Sequence, residues 1–318
     1  MSQPTDQLSI PVQNERPQPE SHPLGAWLVF GSALIWSLGG IIARLADVEN
    51  AWTTIFWRSG TATLFLLAFM LLRDGTAGTV ALFARMRFAG LAVGACFAIA
   101  STSFIVALQF TTVANILLMQ AGVPLIAALI SRILFGEQLR SMTWLAIAAV
   151  IAGVAVMVSD SLTGKVSPVG DGLSLLIALA FAVATVITRR FSSIRMTPAV
   201  CTGSAMSCAV ALVVSLATAG SAAVEAWQLP ILGVFGVSLG LGMALFTQGA
   251  RLIPSAFAAL LGTAETILGP LWVWLFLDET PTPRTVIGGA IVLAAILAYL
   301  VWQIADHRKM RRLAPPVH

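Results

Sequence analysis

The apolar positions of this chain come in runs, not in faces. After a polar, aperiodic opening from Met1 to Pro23, ten mainly apolar stretches follow one another with short polar joins. They are Leu24–Leu45, Ala51–Leu72, Phe88–Leu108, Val113–Phe135, Met142–Val158, Gly172–Ile187, Pro198–Ala217, Leu229–Ala250, Ser255–Leu277 and Val286–Ile304. A helix needs roughly 20 such residues to cross about 30 Å of hydrocarbon. Runs that are apolar all round predict helices surrounded by lipid or by one another. The opening, residues 1–23, predicts a disordered cytoplasmic tail, and residues 306–318 a basic one.

Composition agrees with the pattern. Of 318 residues, 58% are hydrophobic and 10% charged, against about 25% charged in a soluble domain. That is too little charge to cover a water-facing surface. The fold class expected is an all-α integral membrane protein with ten transmembrane helices. Cys96, Cys201 and Cys208 all fall inside apolar runs and read as small buried hydrophobes. The first apolar run is longer than a signal-peptide core and follows a tail with little positive charge, which predicts a retained helix.

Charge placement orients the chain. With the amino terminus in the cytoplasm, fourteen of the eighteen Lys and Arg residues fall in inside segments, and only Lys165 and Arg284 in outside loops. Arg44 lies near an outer helix end, and Arg58 lies within the second span. This is the bias of the positive-inside rule, and it predicts an even span number with both termini cytoplasmic, in the inner cell membrane. The net charge of +4 therefore has a membrane explanation and does not imply nucleic acid.

The loop Ser159–Asp171, with Gly164, Pro168 and Gly170, divides the chain into 24–160 and 170–305, five spans each. Five crossings return the chain on the opposite side, so the second half would be inverted relative to the first, a common plan for secondary transporters. Placing Glu137 of "ILFGE" over Glu279 of "LFLDE" aligns Ala114 with Ala256, Leu118 with Leu260 and Leu129 with Leu271. Two unrelated five-helix halves are the alternative.

The stretch "TTVANILLMQAGVPLIAALISRILFGEQLRSMTWLAIAAVIAGVAVMV" resembles the end of an EamA repeat: a small-residue helix start, a proline within the helix, an apolar run closing in Gly-Glu, then a fifth helix with glycine. "FWRSGTATL" resembles that family's Phe-x-Arg element, and "ETILGPLWVWLFLDE" the matching stretch of the second repeat. Thr266 stands where many members carry proline, and Asp278 where they carry glycine. The resemblance spans Leu24 to Ala305. It implies the drug/metabolite transporter superfamily, two inverted EamA repeats, a central substrate cavity, and export.

Charges at the bilayer centre cost at least about 2.5–3.5 kcal/mol and should face the bundle interior. Glu265, near the middle of the ninth span, is the first candidate. A protonatable carboxyl there could carry a coupling proton or bind a cationic group, or it could lock two helices together. Arg58 could fork onto an anionic substrate group, pair with Glu265, cap carbonyls, or snorkel. Gln120, Asn115 and Gln248 suit interhelical hydrogen bonds, with Gln120 the deepest. Trp36 and Trp57 could line a cavity or pack against helices. Trp27, Trp144 and Trp302 read as interfacial anchors. Pro124 and Pro270 free helix carbonyls and are hinge or static-kink candidates. Gly90 with Gly94, and Gly236 with Gly240, mark close helix approach.

No G-x-x-x-x-G-K-[ST] occurs, so transport would run on a gradient and not on ATP bound by this chain. The histidines, His22, His307 and His318, are all in the tails, which argues against a histidine metal site or a Ser-His hydrolase in the spans. No cofactor and no metal are expected. The reading is a secondary transporter for a small-molecule substrate, with membrane lipid around it and a coupling proton as an option. The alternative is a non-transporting scaffold or assembly subunit in which Glu265 and Arg58 are structural glue.

Overall fold

A computed structural model describes residues 23–162, 167–191, 195–253 and 255–313. The expectation of a disordered tail lies outside the described residues except at Pro23, which opens the first helix. Among the described residues there are eleven helices and no strand. In chain order they are α1 (Pro23–Ser37), α2 (Gly39–Leu45), α3 (Ala51–Ala107), α4 (Val113–Gln120), α5 (Val123–Phe135), α6 (Ser141–Leu162), α7 (Pro168–Arg190), α8 (Thr197–Ala219), α9 (Gln228–Gly249), α10 (Ser255–Leu277) and α11 (Pro283–Leu313). Eight helices are long and apolar enough to cross a membrane, or nine counting the bent pair α4–α5 as one span.

The elements follow from local sequence. Pro stands in the first turn of α5, α7 and α8, where its missing N–H costs nothing. Asn50 and Thr112 cap α3 and α4 by accepting from the backbone N–H of Trp52 and Asn115. α3 is interrupted at Gly75 (φ 70°) and Arg87 (φ 47°), between the two spans expected there. α11 continues through Leu313, past the expected end of the tenth span at Ile304.

Contacts at the helix ends show that the bundle has two of them. At one end, Asn50 donates to Thr218, Gln228 to the carbonyls of Ala46 and Asp47, and Arg284 to Ser159. At the other, Arg195 pairs with Asp74 at 2.8 Å, Arg140 pairs with Asp306, and Gly25 abuts Gly249 and Leu252. The first is called the Glu279 end and the second the Glu137 end, after the glutamates that follow α10 and α5.

Packing is inverted relative to a water-soluble bundle. Leu72, Phe88, Trp27 and Ile133 point outward, Leu72 at 90% exposure, while Ser32, Ser59, Ser204 and Ser207 are buried. Small residues let helix backbones meet. A Cβ on Gly94 would stand 2.8 Å from the Ala199 carbonyl oxygen on α8, and Gly153 on α6 faces Gly288 on α11. Gly240 accepts the Phe65 ring, but Gly90 meets only Met86 of its own helix.

Candidate functional site

Two spans of the first half are irregular in their middles: α4–α5 is broken by a bend, and α1–α2, a single span, carries one turn at Leu38. α1 stops at Ser37 and α2 starts at Gly39, with Leu38 in a turn between them. α4 stops at Gln120, and α5 restarts at Val123 after Ala121 and Gly122, bent by 40°. Pro124 sits in the first turn of the restarted helix, just after the bend. Pro270, by contrast, lies inside an unbroken α10. Broken backbone at membrane depth is tolerated only where protein or a wet cavity satisfies it, and transporters use such breaks as binding sites.

Both irregularities face α10. Trp272 of α10 donates its indole N–H to Ser37 Oγ at 2.9 Å. Leu117 of α4 occupies the space a Cβ on Gly269 would need. Glu265 precedes Gly269 by one turn and Gly262 by position precedes Glu265 by one, so all three share a face. A Cβ on Gly262 would meet nothing within 4 Å. Glu265 is partly buried, and among the described residues its carboxylate has no hydrogen-bond or salt-bridge partner.

Gln120 follows Leu117 by one turn of α4. Its Nε2 is buried without a partner. Glu279, just past the end of α10, accepts from the backbone N–H of Val113 at the start of α4, so the two helices run antiparallel. The steps from Leu117 to Gln120 and from Gly269 to Glu265 thus lead the same way along the bundle. At 1.5 Å per residue they advance about 4.5 and about 6 Å. An orphaned amide and an unpaired carboxylate therefore lie at similar depth on adjoining helices, next to a helix break.

Trp36 adjoins the α1–α2 turn. Its indole N–H donates to the Leu239 carbonyl at 3.3 Å, and its ring fills the place of a side chain at Gly242 on α9. Arg58 is elsewhere. Its guanidinium lies 4.4 Å from the Phe235 ring centre and 5.8 Å from that of Phe104, and bonds Ser101 Oγ at 3.0 Å. It is buried, with Nε unpartnered, and it forms no ion pair with Glu265. The option of such a pair is not realised. Trp57 donates to the Ala222 carbonyl near the Glu279 end, and Gln248 is partly buried near the end of α9.

Two polar groups escaped the sequence reading. Asp171, placed in a loop by hydropathy, is buried in the first turn of α7 and accepts from Asn115 Nδ2 at 2.6 Å. Arg44 donates to Glu279 at 3.0 Å and to the Leu108 and Thr111 carbonyls at 2.8 and 3.3 Å. The signal for the first was an acid directly after a helix-starting Pro-Val-Gly. For the α1–α2 turn it was the Ser37-Leu38-Gly39-Gly40 string.

Eight or nine apolar spans among the described residues define a polytopic membrane protein. The chain belongs to the EamA-like transporter family, whose model matches residues 23–159 and again 168–301. No curated protein matches it. A solved crystal structure shares the fold with a TM-score of 0.60 at 18% identity, covering 88% of this chain and 97% of that one.

Proposed function

We propose that this protein is a secondary transporter that moves a small metabolite or drug-like compound across the inner cell membrane by alternating access. In this reading the chain crosses the membrane ten times as two inverted five-helix repeats, with the breaks in α3 separating two crossings. Both termini are cytoplasmic, which puts the Glu279 end outside, and transport runs outward. Glu265 and Gln120 meet the substrate or a coupling proton at the level of the α4–α5 break, and Trp36, packed on Gly242 of α9, lines the approach from the α1 side.

One observation carries the reading: among the described residues a carboxylate and an amide lack protein partners beside the break in the α4–α5 span. Buried polar groups ordinarily have partners, and leaving them without costs about 1–3 kcal/mol each, more for a charge. A ligand, a proton or water supplies what the chain does not. Arg58 is held by Phe235, Phe104 and Ser101, which favours a structural part for it.

The test is ligand-induced thermal stabilisation of the purified protein across amino acids, nucleosides, polyamines and cationic drugs, at several pH values. A ligand that binds only the folded state stabilises by RT ln(1 + [L]/Kd). A shift with one compound that disappears in Glu265→Gln supports the site. Shifts that survive in Glu265→Gln and in Gln120→Leu would remove it.

A further inference from the structure

The two halves end their fourth spans in the same way. α5 is followed by Gly136 (φ 68°) and then Glu137, and α10 by Asp278 (φ 52°) and then Glu279. In the register that superposes the glutamates, Val113 at the start of α4 falls on Ser255 at the start of α10. Arg44 and Arg189 stand at the same place, next to last in α2 and in α7, the helices that end the first span of each half. Every part of the Glu279 cluster thus has a counterpart at the opposite end of the bundle.

Only one cluster is assembled. Glu279 accepts from the Val113 N–H at 2.7 Å and from Arg44, with its side chain 16% exposed. A carboxylate on a helix start takes an unpaired N–H and favours the helix dipole. Glu137 and Arg189 are both exposed, and among the described residues neither side chain has a partner. The fourth spans differ in the same sense: α4–α5 is bent by 40°, whereas its counterpart α10 is continuous.

We propose that Glu279 with Arg44, and Glu137 with Arg189, are two alternative latches, one at each end of the bundle. The structure holds the first shut and the second released. This rests on the inverted-repeat transporter reading above. The exchange has a mechanical basis. α10 carries Glu279 at its far end and offers its start to Glu137. The α4–α5 span carries Glu137 and offers its start to Glu279. Rocking these antiparallel spans against each other, with the 40° bend as the give, opens one latch as it closes the other.

Oxidative cross-linking of the full chain in membranes tests this, with Cys96, Cys201 and Cys208 replaced by Ala. One cysteine pair combines Val113→Cys with Thr280→Cys, the other Ser255→Cys with Gln138→Cys, so that both glutamates and both helix-start N–H groups stay in place. A disulfide forms only when the Cα atoms come within about 7 Å. The first pair should close readily and the second slowly. Adding Glu279→Gln, or Arg44→Gln should that variant fold poorly, should speed the second pair several-fold. A membrane-impermeant maleimide should then label Thr54→Cys, in the cavity of about 230 Å³ beside Arg44, faster than before. A second pair that never closes, or closes at a rate indifferent to both variants, would overturn the latches. Flux measurements separate this from the transporter reading. Exchanging cross-links without flux of any compound would keep the latches, and flux without exchange would discard them.

Discussion

Gly236 on α9 lies so close to Arg58 on α3 that a Cβ there would overlap the Arg58 carbonyl oxygen and the Thr61 hydroxyl, and stand 2.8 Å from the Ala62 nitrogen. The obstacle is mostly backbone, which cannot rotate away. Gly236→Ala should therefore lower stability by about 1–3 kcal/mol, the usual range for overpacking. Gly233, one turn earlier on the same helix, has nothing within 4 Å of its would-be Cβ. Gly233→Ala should be neutral or add up to about 1 kcal/mol by helix propensity. Thermal unfolding in detergent compares the two, and equal effects would mean that α9 and α3 are not in close contact.

Glu265 gives the opposite expectation, because function there opposes stability. Its carboxylate has no partner among the described residues, so removing the charge removes no contact. Glu265→Gln should leave the melting temperature unchanged or raise it while abolishing ligand-induced shifts. Unfolding scans with and without ligand read both quantities. A variant that melts well below the wild type would show that the carboxylate holds helices together, as a scaffold protein would require.

The apolar helical character was legible because an apolar run that must cross lipid leaves few alternatives, although the described residues hold eight or nine span candidates against the ten expected. The residues at which α3 breaks, Gly75 and Arg87, sit within the polar join that hydropathy marks. The turn at Leu38 and the break at Ala121–Gly122 were not legible, because an apolar average takes no notice of one turn of lost hydrogen bonds. Glu265 stood out because a lone acid in an apolar run is conspicuous in any register. Its position relative to Gln120 did not, since it depends on α4 and α10 meeting at Leu117 and Gly269. Asp171 and Arg44 lay at span edges, where a charge looks solvated. Only the fold shows the first buried against Asn115 and the second gripping Glu279.

Arg58 tests whether a buried cation can be glue. Its planar group lies over Phe235 and hydrogen-bonds Ser101, a geometry that lysine does not reproduce. Arg58→Lys keeps the charge and loses the stacking, at a cost of about 0.5–2 kcal/mol. Arg58→Met keeps the stem and removes a charge from low dielectric, which is often neutral or stabilising. The methionine variant should thus melt no lower than the lysine variant and should keep its ligand shifts. Loss of the shifts in Arg58→Met alone would return Arg58 to the substrate site.

Asp74 lies at the join between the two halves of α3, outside the spans, and its behaviour in acid follows from its neighbours. The hydrogen bond from Arg195 holds its carboxyl below the usual carboxylate value; burial works against this, and the charges of Arg195, Arg73 and Arg251 reinforce it. A carboxyl whose folded-state pKa is depressed stabilises the fold above its unfolded pKa, near 3.9, and loses that contribution as pH falls through the folded value. Asp74→Asn should therefore cost the roughly 0.2–1 kcal/mol of a partly exposed pair at neutral pH, and the gap to the wild type should close below about pH 4. The variant also leaves Arg73, Arg195 and Arg251 without their shared carboxylate. Burial and the two neighbouring arginines already push the Arg251 pKa down. Salt screens such repulsion over about 10 Å at 0.1 M, so added salt should stabilise Asp74→Asn more than the wild type. Melting curves at two pH values and two salt concentrations decide it. A gap that persists in acid and ignores salt would mean that Asp74 acts through its shape and not through its charge.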